Sequence, residues 1–510
     1  MRSAFVTWSN RTRRQLGGRE YRSTAIPEAV LIAYWVYNFC PLEAGLPPEI
    51  LAVRQLALLL RNFRQEEISM IGRKSTIAVL AALFLFSAIT FRANSVLAAD
   101  KERVLHSFSG QDGDGPAGGL VFDASGSLYG ATTGGAGDCS VACGTVFRLT
   151  PDSKGKWTHT VLHRFDNPKG GAYPEGEVTF DGAGNLYGAD YSGGPSSEGV
   201  VFKLASGSSG KWTETVLDNF DGSTGDWPLA GVIFDKVGNL YGTTRYGGAG
   251  NACGDSGCGV VFELSPTSDG HWIKTVLHSF DGRDGAFPLA RLLLDKAGNL
   301  YGTTFAGGIG SCSFGVTGCG VVFQLNPPSK KGDPWTERIL HRFAGNQDGG
   351  FLASDLVSDA AGNLYGMANQ GGDLSCRSGL GCGVVFELMH GEDGKWGEKV
   401  LHAFGGRDGA YPDGGGLVFD SEGNLYGTTS SGGGLNCNPN YGCGVVFKLS
   451  PGKNSKWTET VLHRFSGKDG ASPQSDLLLD AAGNLYGTTS QGGSGQCALG
   501  GCGVVFEITP

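Results

Sequence analysis

The chain has 510 residues, a formal net charge of −9 and 87 glycines, a glycine share more than twice the usual value of about 7%. Glycine does not recur at every third position, which excludes collagen, and the aromatic and β-branched residues come in regular bursts, which excludes a disordered polar chain. Residues 1–100 hold 12 Lys+Arg and 7 Asp+Glu, leaving 28 and 42 in residues 101–510, a net of −14; a body this acidic, with no basic stripe, argues against nucleic acid as a partner.

Residues 1–69 carry Arg11, Arg13, Arg14 and Arg19 and an apolar patch at 29–39, and resemble nothing downstream. From Met70 the pattern changes to Arg73-Lys74, an apolar run over 77–89, then Ala98-Ala99-Asp100. A short basic region, an apolar core of about 7–15 residues and a small-residue end describe a secretory signal peptide over 70–99. The run is short against the roughly 20 apolar residues of a membrane span. The simplest expectation is therefore that translation starts at Met70, that 1–69 is a mis-called extension, and that the mature chain has no membrane span. The competing reading is a signal anchor with an Arg-rich cytoplasmic tail.

From Val104 onward one pattern repeats seven times, with its Leu-Tyr-Gly triplet at Leu128, Leu186, Leu240, Leu300, Leu364, Leu425 and Leu485. In each unit a short apolar run ends in Asp, as in Leu417-Val-Phe-Asp420. A turn closed by Gly-Asn follows, because both residues tolerate positive φ. The second strand is then Asn-Leu-Tyr-Gly-Thr-Thr, a Gly-rich loop leads to a third, Gly-Val-Val-Phe-x-Leu, and a turn leads to a fourth such as Trp457–Phe465. Four strands per unit, seven times over, predict an all-β fold: a seven-bladed β-propeller of four-stranded blades spanning residues 100–510. The phase of the repeat predicts how the ring closes. The first element, Val104–Phe108, reads as an isolated fourth strand, and the last, Gly503–Ile508, as a third. The N-terminal strand is therefore expected to complete the C-terminal blade.

Twelve cysteines of the repeat region fall in six local pairs, Cys139/Cys143, Cys253/Cys258, Cys312/Cys319, Cys376/Cys382, Cys437/Cys443 and Cys497/Cys502, all between second and third strands. The second unit lacks a pair and has a short loop, 193–199. Local even pairing behind a signal peptide predicts disulfides formed outside the cytoplasm. Zinc would need four ligands converging on one point, and each pair stands alone without a loop histidine, so no metal is expected there.

The long loops joining second to third strands, and each fourth strand to the next unit, belong on one face. The second class carries an aromatic residue before proline or its equivalent, at Tyr173, Trp227, Phe287, Phe351 and Tyr411. These five are the candidate ligand-binding residues, since a ring of aromatics suits stacking on sugars or other flat ligands; the alternative is that they wedge between blades. His106, His163, His278, His341, His402 and His463 recur at one position of the fourth strand and are read as structural, as is the Asp ending each first strand. No Ser-His-Asp order outside the repeat, phosphate loop or HExxH is found, and the EF-hand spacing is absent, so no catalytic residue or cofactor is assigned. The departures from the repeat are Asp218 in place of His and Ala189-Asp190 in place of Thr-Thr in the second unit, and Ser358-Asp359 and Met367-Ala-Asn369 in the fifth; chemistry, if any, is sought there first.

The string Asp-x-x-Gly-Asn-Leu-Tyr-Gly-Thr-Thr, then Gly-Gly, then Gly-Val-Val-Phe-x-Leu, resembles the GloVer-type tandem repeat of bacterial secreted proteins over about residues 104–510. The resemblance implies an exported repeat protein and supplies no catalytic residues. Members often carry a C-terminal surface anchor, whereas this sequence stops at its last repeat. The Asp-x-x-Gly-Asn-hydrophobic-Tyr core is also similar to NHL-type propeller repeats, which mostly bind partners. The expectation is a secreted, periplasmic or cell-surface monomer that binds carbohydrate or a cell-surface protein. The alternatives are an extracytoplasmic lyase or hydrolase working at the central mouth, and a structural envelope protein.

Overall fold

The computed structural model describes residues 101–510, apart from 136–142, 167–169, 251, 313–315, 331, 392–393, 435–441 and 498–499. The expectations for 1–69 and for the signal peptide at 70–99 lie outside the described residues. No described helix is long and apolar enough to cross a membrane.

Seven antiparallel sheets follow one another along the chain. Blade 1 is Val121–Phe122, Leu128–Thr132, Thr145–Pro151 and Trp157–Arg164. Blades 2 to 6 repeat it and end in the fourth strands Trp212–Asn219, Trp272–Ser279, Thr336–Arg342, Trp396–Ala403 and Trp457–Arg464. Blade 7 has three strands from the C-terminus, and its fourth is Lys101–Ser107, antiparallel to Val504–Thr509 with Lys101 opposite Thr509. The closure expected from the repeat phase is present. Blade 2 has one extra short strand, Gly171–Pro174, laid on the far end of its second strand.

The sequence forms these sheets for local reasons. Asp420 Oδ1 accepts the backbone N–H groups of Glu422 and Asn424, and Oδ2 accepts Asn424 Nδ2 and Tyr426 O–H at 2.7 and 3.0 Å. One carboxylate thus ties the hairpin turn to the second strand, as an Asx turn does, and the same set recurs around Asp181, Asp235, Asp295, Asp359 and Asp480. Those aspartates are structural, as expected. Gly427 of Leu-Tyr-Gly is needed for packing: a Cβ there would lie 2.7 Å from Cζ of Phe447 on the third strand.

Every seam between neighbouring blades encloses its own apolar cluster. The one between blades 7 and 1 joins Phe108, Val505 and Tyr486 to Leu120, Leu128 and Phe147, so no blade face is left open. The first threonine after Leu-Tyr-Gly is buried there but satisfied: Thr243 Oγ1 donates to the Ala290 carbonyl of the next blade, and Thr488 Oγ1 to that of Gly118 across the closure. Third and fourth strands share a bulge at the leucine before the repeated histidine, as between Val446 and Phe447 opposite His463 and Val461. A bulge adds twist and re-aims the side chain that follows, and it turns each histidine toward the adjoining blade.

Candidate functional site: the mouth of the central channel

The segment entering each blade sets the rim of the channel. Its residue before proline, or before Leu352 in blade 5, sits in the left-handed region, with φ of 62° at Tyr173, 57° at Trp227, 59° at Phe287 and Phe351, 54° at Tyr411 and 56° at Ser472. Such a conformation costs a non-glycine residue about 1–2 kcal/mol, and it persists because both backbone groups are used. The N–H groups of Tyr173, Phe287, Phe351, Tyr411 and Ser472 donate to the carbonyls of Cys143, Cys258, Cys319, Cys382 and Cys443 in the preceding blade. The carbonyls of Trp227, Phe287 and Tyr411 accept from Arg245, Phe305 and Ser430 of the blade they enter. Each rim residue is therefore a backbone pivot between two blades, and its side chain is delivered to a fixed place.

The five candidate residues do not share one environment. Trp227 is 37% exposed, Tyr173 and Tyr411 are half-buried, and Phe287 and Phe351 are buried at 4% and 9%. Aromatic residues from the ends of second strands, absent from the sequence-based set, fill the spaces between them. Tyr173 stacks on Tyr191 at 5.2 Å, Tyr191 meets Trp227 at 5.7 Å, Trp227 meets Tyr246 at 5.4 Å and Tyr246 meets Phe287 at 5.3 Å. The result is a continuous arc of rings over blades 2 to 4, and Phe305 against Phe351 extends the series at 4.9 Å. The Arg245 guanidinium lies 4.9 Å over Tyr246 and 5.8 Å over Trp227, and that of Arg377 lies 4.0 Å over Tyr411.

Below the arc lies a cavity of about 240 Å³ lined by all seven entering segments. The irregular segments that lead into the first strands line it at two levels, two residues apart in the chain and three in blade 6. The upper tier includes Glu175, Asp413 and Gln474 beside Arg245, and the lower tier Glu177, Arg291, Asp355 and Asp476. Arg291 is the lower tier's cation. Its Nε donates to Asp355 Oδ2 at 2.9 Å, its Nη2 to Asp476 Oδ2 at 3.2 Å, and its Nη1 pairs with Glu177. Asp355 Oδ1 also accepts the Arg291 backbone N–H at 2.7 Å. One arginine on blade 4 thus holds carboxylates from blades 2, 5 and 7 across the axis. Three acids around one base leave an excess of negative charge in a poorly hydrated place. Burial, and then the neighbouring carboxylates, push Glu177 up to about 7 and Asp355 up to about 8, against the opposing pull of Arg291. Burial raises Glu175 and Asp413 as well.

This charged ring was not singled out in the sequence. Its signal was the residue before the aliphatic that opens each first strand, which runs Gly119, Glu177, Gly231, Arg291, Asp355, Gly416 and Asp476. No other inner position of the repeat changes charge so freely.

The other sequence candidates lie elsewhere. Each repeated histidine sits at its own seam, as expected, and four of them, His106, His278, His402 and His463, contact an Asp six residues on at 2.9–3.1 Å. The departures from the repeat in the second unit, Asp218 and Asp190, lie away from the channel: Asp218 pairs with Lys274 at 2.5 Å and Asp190 is fully buried behind Gly171, whereas Glu175 and Glu177 of the same unit line the cavity. Ser358-Asp359 of the fifth unit is an ordinary hairpin turn, while Asn369 reaches Asp413 of the upper tier. Disulfides are present at Cys253–Cys258, Cys312–Cys319, Cys376–Cys382 and Cys497–Cys502. In the remaining two pairs Cys139 and Cys437 lie outside the described residues.

A family model described as the Gloeobacter/Verrucomicrobia repeat matches residues 91–254, 213–437 and 376–510. No curated protein matches the chain. Among solved structures, a fungal alcohol oxidase described as novel, with catalytic diversity among the AA5 family and in complex with copper, is 14% identical, with a TM-score of 0.49 over 80% of this chain and 76% of that one. At that identity the likeness says nothing about chemistry.

Proposed function

This chain belongs to the Gloeobacter/Verrucomicrobia repeat family, and we propose that its propeller is an extracytoplasmic binding module that takes a polysaccharide segment, or another polymer with flat apolar faces, at the mouth of the channel. The observation that carries this reading is the arc Tyr173–Tyr191–Trp227–Tyr246–Phe287, whose rings come alternately from entering segments and second-strand ends. Sugar rings present apolar C–H faces that pack on aromatic planes, and the upper-tier carboxylates, Gln474 and Arg245 supply donors and acceptors for hydroxyls at the edge of the arc. Disulfides at the rim support a site outside the cytoplasm, where they persist. Retardation in native gels cast with soluble polysaccharides tests the proposal. At least one polymer should slow the protein, Trp227→Ala and Tyr191→Ala should each abolish the shift without changing the melting temperature, and identical migration in every polymer would overturn the reading.

A second reading, cleavage of the bound chain, draws on one observation: Glu177 and Asp355 hold protons near neutral pH beside a fixed arginine, the condition a general acid needs. Release of new reducing ends or unsaturated products, lost in Glu177→Gln, would favour it; unchanged polymer after prolonged incubation removes it.

A further inference from the structure

The seams hold a second recurring group of side chains, away from the channel. On one side are the repeated histidine and the loop aspartate beside it. On the other is the residue four positions before the histidine in the next blade's fourth strand: Glu102, Glu214, Glu337, Glu398 and Glu459 in five seams. In four of these glutamates, Glu102, Glu337, Glu398 and Glu459, the Oε1 atom is buried without a hydrogen-bond partner. A buried carboxylate oxygen with no donor is costly, and a cost carried once in a fold says little. Four occurrences at one repeat position do not.

The exceptions are informative. Between blades 2 and 3 the histidine is Asp218 and the glutamate is Lys274, whose Nζ sits 2.5 Å from Asp218, 3.1 Å from the Asn219 carbonyl and 4.3 Å over the Phe220 ring. Where the His–Asp–Glu set is missing, the chain supplies a tethered cation of its own. Between blades 7 and 1 the glutamate is His159, stacked 4.1 Å from His106 beside Asp112.

We infer that the seams between blades 3 and 4 and between blades 6 and 7 each bind a divalent first-row transition ion of the zinc type, held by His278, Asp284 and Glu337 and by His463, Asp469 and Glu102. In each set the histidine nitrogen and one oxygen from each carboxylate lie within 4.8 Å of one another. The imidazole nitrogen stands 3.0 Å from the aspartate oxygen in the first and 3.1 Å in the second. Zinc bonds of about 2.0–2.2 Å place tetrahedral donors about 3.4 Å apart, so the glutamate closes on the pair by turning its own side chain, and water supplies the fourth ligand. A nitrogen donor with two carboxylates suits zinc and its neighbours better than calcium, which takes oxygen ligands. Two carboxylates also give a dication a neutral shell. The positive charge of Arg342 also acts on Glu337 and opposes binding at the first seam, with Asp281 partly offsetting it. The second seam has no such arginine among the charges acting on Glu102, and its ion would pin the closing N-terminal strand to blade 6.

The test uses the full chain stripped with a chelator and titrated with Co²⁺ and Zn²⁺. Cobalt should develop the visible bands of a four-coordinate site, zinc should displace it, and zinc at about a hundredfold above its Kd should raise the melting temperature by at least about 2 °C. Glu337→Gln and Glu102→Gln are near-isosteric, and each should remove one bound zinc per chain by elemental analysis. A cobalt spectrum unchanged from the aqueous ion, with no zinc retained after gel filtration, overturns the inference and leaves a proton as the seam's cation. Undiminished zinc in the double variant overturns it equally, by placing the metal elsewhere.

Discussion

Replacing Arg291 with methionine keeps an unbranched, flexible stem, shortens it, and removes the lower tier's positive charge. Glu177, Asp355 and Asp476, whose side chains are 13%, 14% and 21% exposed, would then face one another with no guanidinium between them. Breaking a buried ionic network by removing one partner costs about 3–5 kcal/mol. The Arg291 side chain is itself 31% exposed at the channel, so the lower end, about 3 kcal/mol, is expected at pH 8. The pH dependence follows from the direction of the shifts. Glu177 and Asp355 have folded pKa values raised above their ordinary range, to about 7 and about 8. The folded state therefore holds protons that the unfolded chain releases near pH 4, and stability is lost as pH rises through that window. Without Arg291 the carboxylates are pushed higher still, so the variant's deficit should be small at pH 5, where they stay protonated, and full at pH 8. Urea unfolding of both proteins at the two pH values reads this as a difference in midpoint at constant slope. An equal deficit at pH 5 and pH 8 would refute the charge argument and leave only lost packing.

Gly427→Ala should cost about 1–3 kcal/mol by overpacking, because the new methyl would lie 2.7 Å from Phe447 and 3.0 Å from Leu417; adding Phe447→Leu should recover part of the loss in the same denaturation assay. Ser472→Gly should raise stability by about 0.5–1 kcal/mol, since Ser472 has φ of 56° and the equivalent residue entering blade 1 is already Gly115, and relief of left-handed strain exceeds the entropy cost of glycine. Replacing Cys376 and Cys382 together by serine should cost about 2 kcal/mol for so short a loop. It should also weaken polymer binding at Tyr411, whose N–H rests on the Cys382 carbonyl, while Trp227, resting on Glu198, keeps its contribution in gel retardation.

The scaffold was legible because each signal acts over a few residues and is written seven times. Asp-x-x-Gly-Asn makes a turn wherever it stands, and the phase of the repeat dictates which blade is left incomplete. The arc at the mouth was half legible. Residues before proline stood out, but the second-strand ends are aromatic in only three copies, Tyr191 and Phe305 at one position and Tyr246 at the next, and only the ring's curvature brings Tyr191 and Tyr246 between Tyr173, Trp227 and Phe287. Arg291 and its three acids were not legible as a site, because the acids lie 64 to 185 residues from the arginine in sequence. The first strands were also shorter than their apolar runs suggest: Leu417 is buried but only Val418–Phe419 pair as strand.

A closed ring of copies treats its two kinds of interior position differently. A seam residue meets one neighbour, which carries a different position of the same repeat, so a complementary pair such as His463 and Glu102 can be copied around the ring without conflict. A residue on the segment entering a blade faces the axis, where every copy meets every other. A carboxylate repeated there would bring seven like charges into one narrow channel, and burial would prevent most of them from ionising. Repetition is therefore tolerated at that position only for small neutral residues, and any copy that gains a charge forces another to gain the opposite one or stay glycine. Three glycines, three acids and one arginine at the lower tier satisfy that constraint. The same constraint makes the channel the place where the blades stop being equivalent, and so where a seven-fold scaffold can acquire a single oriented site.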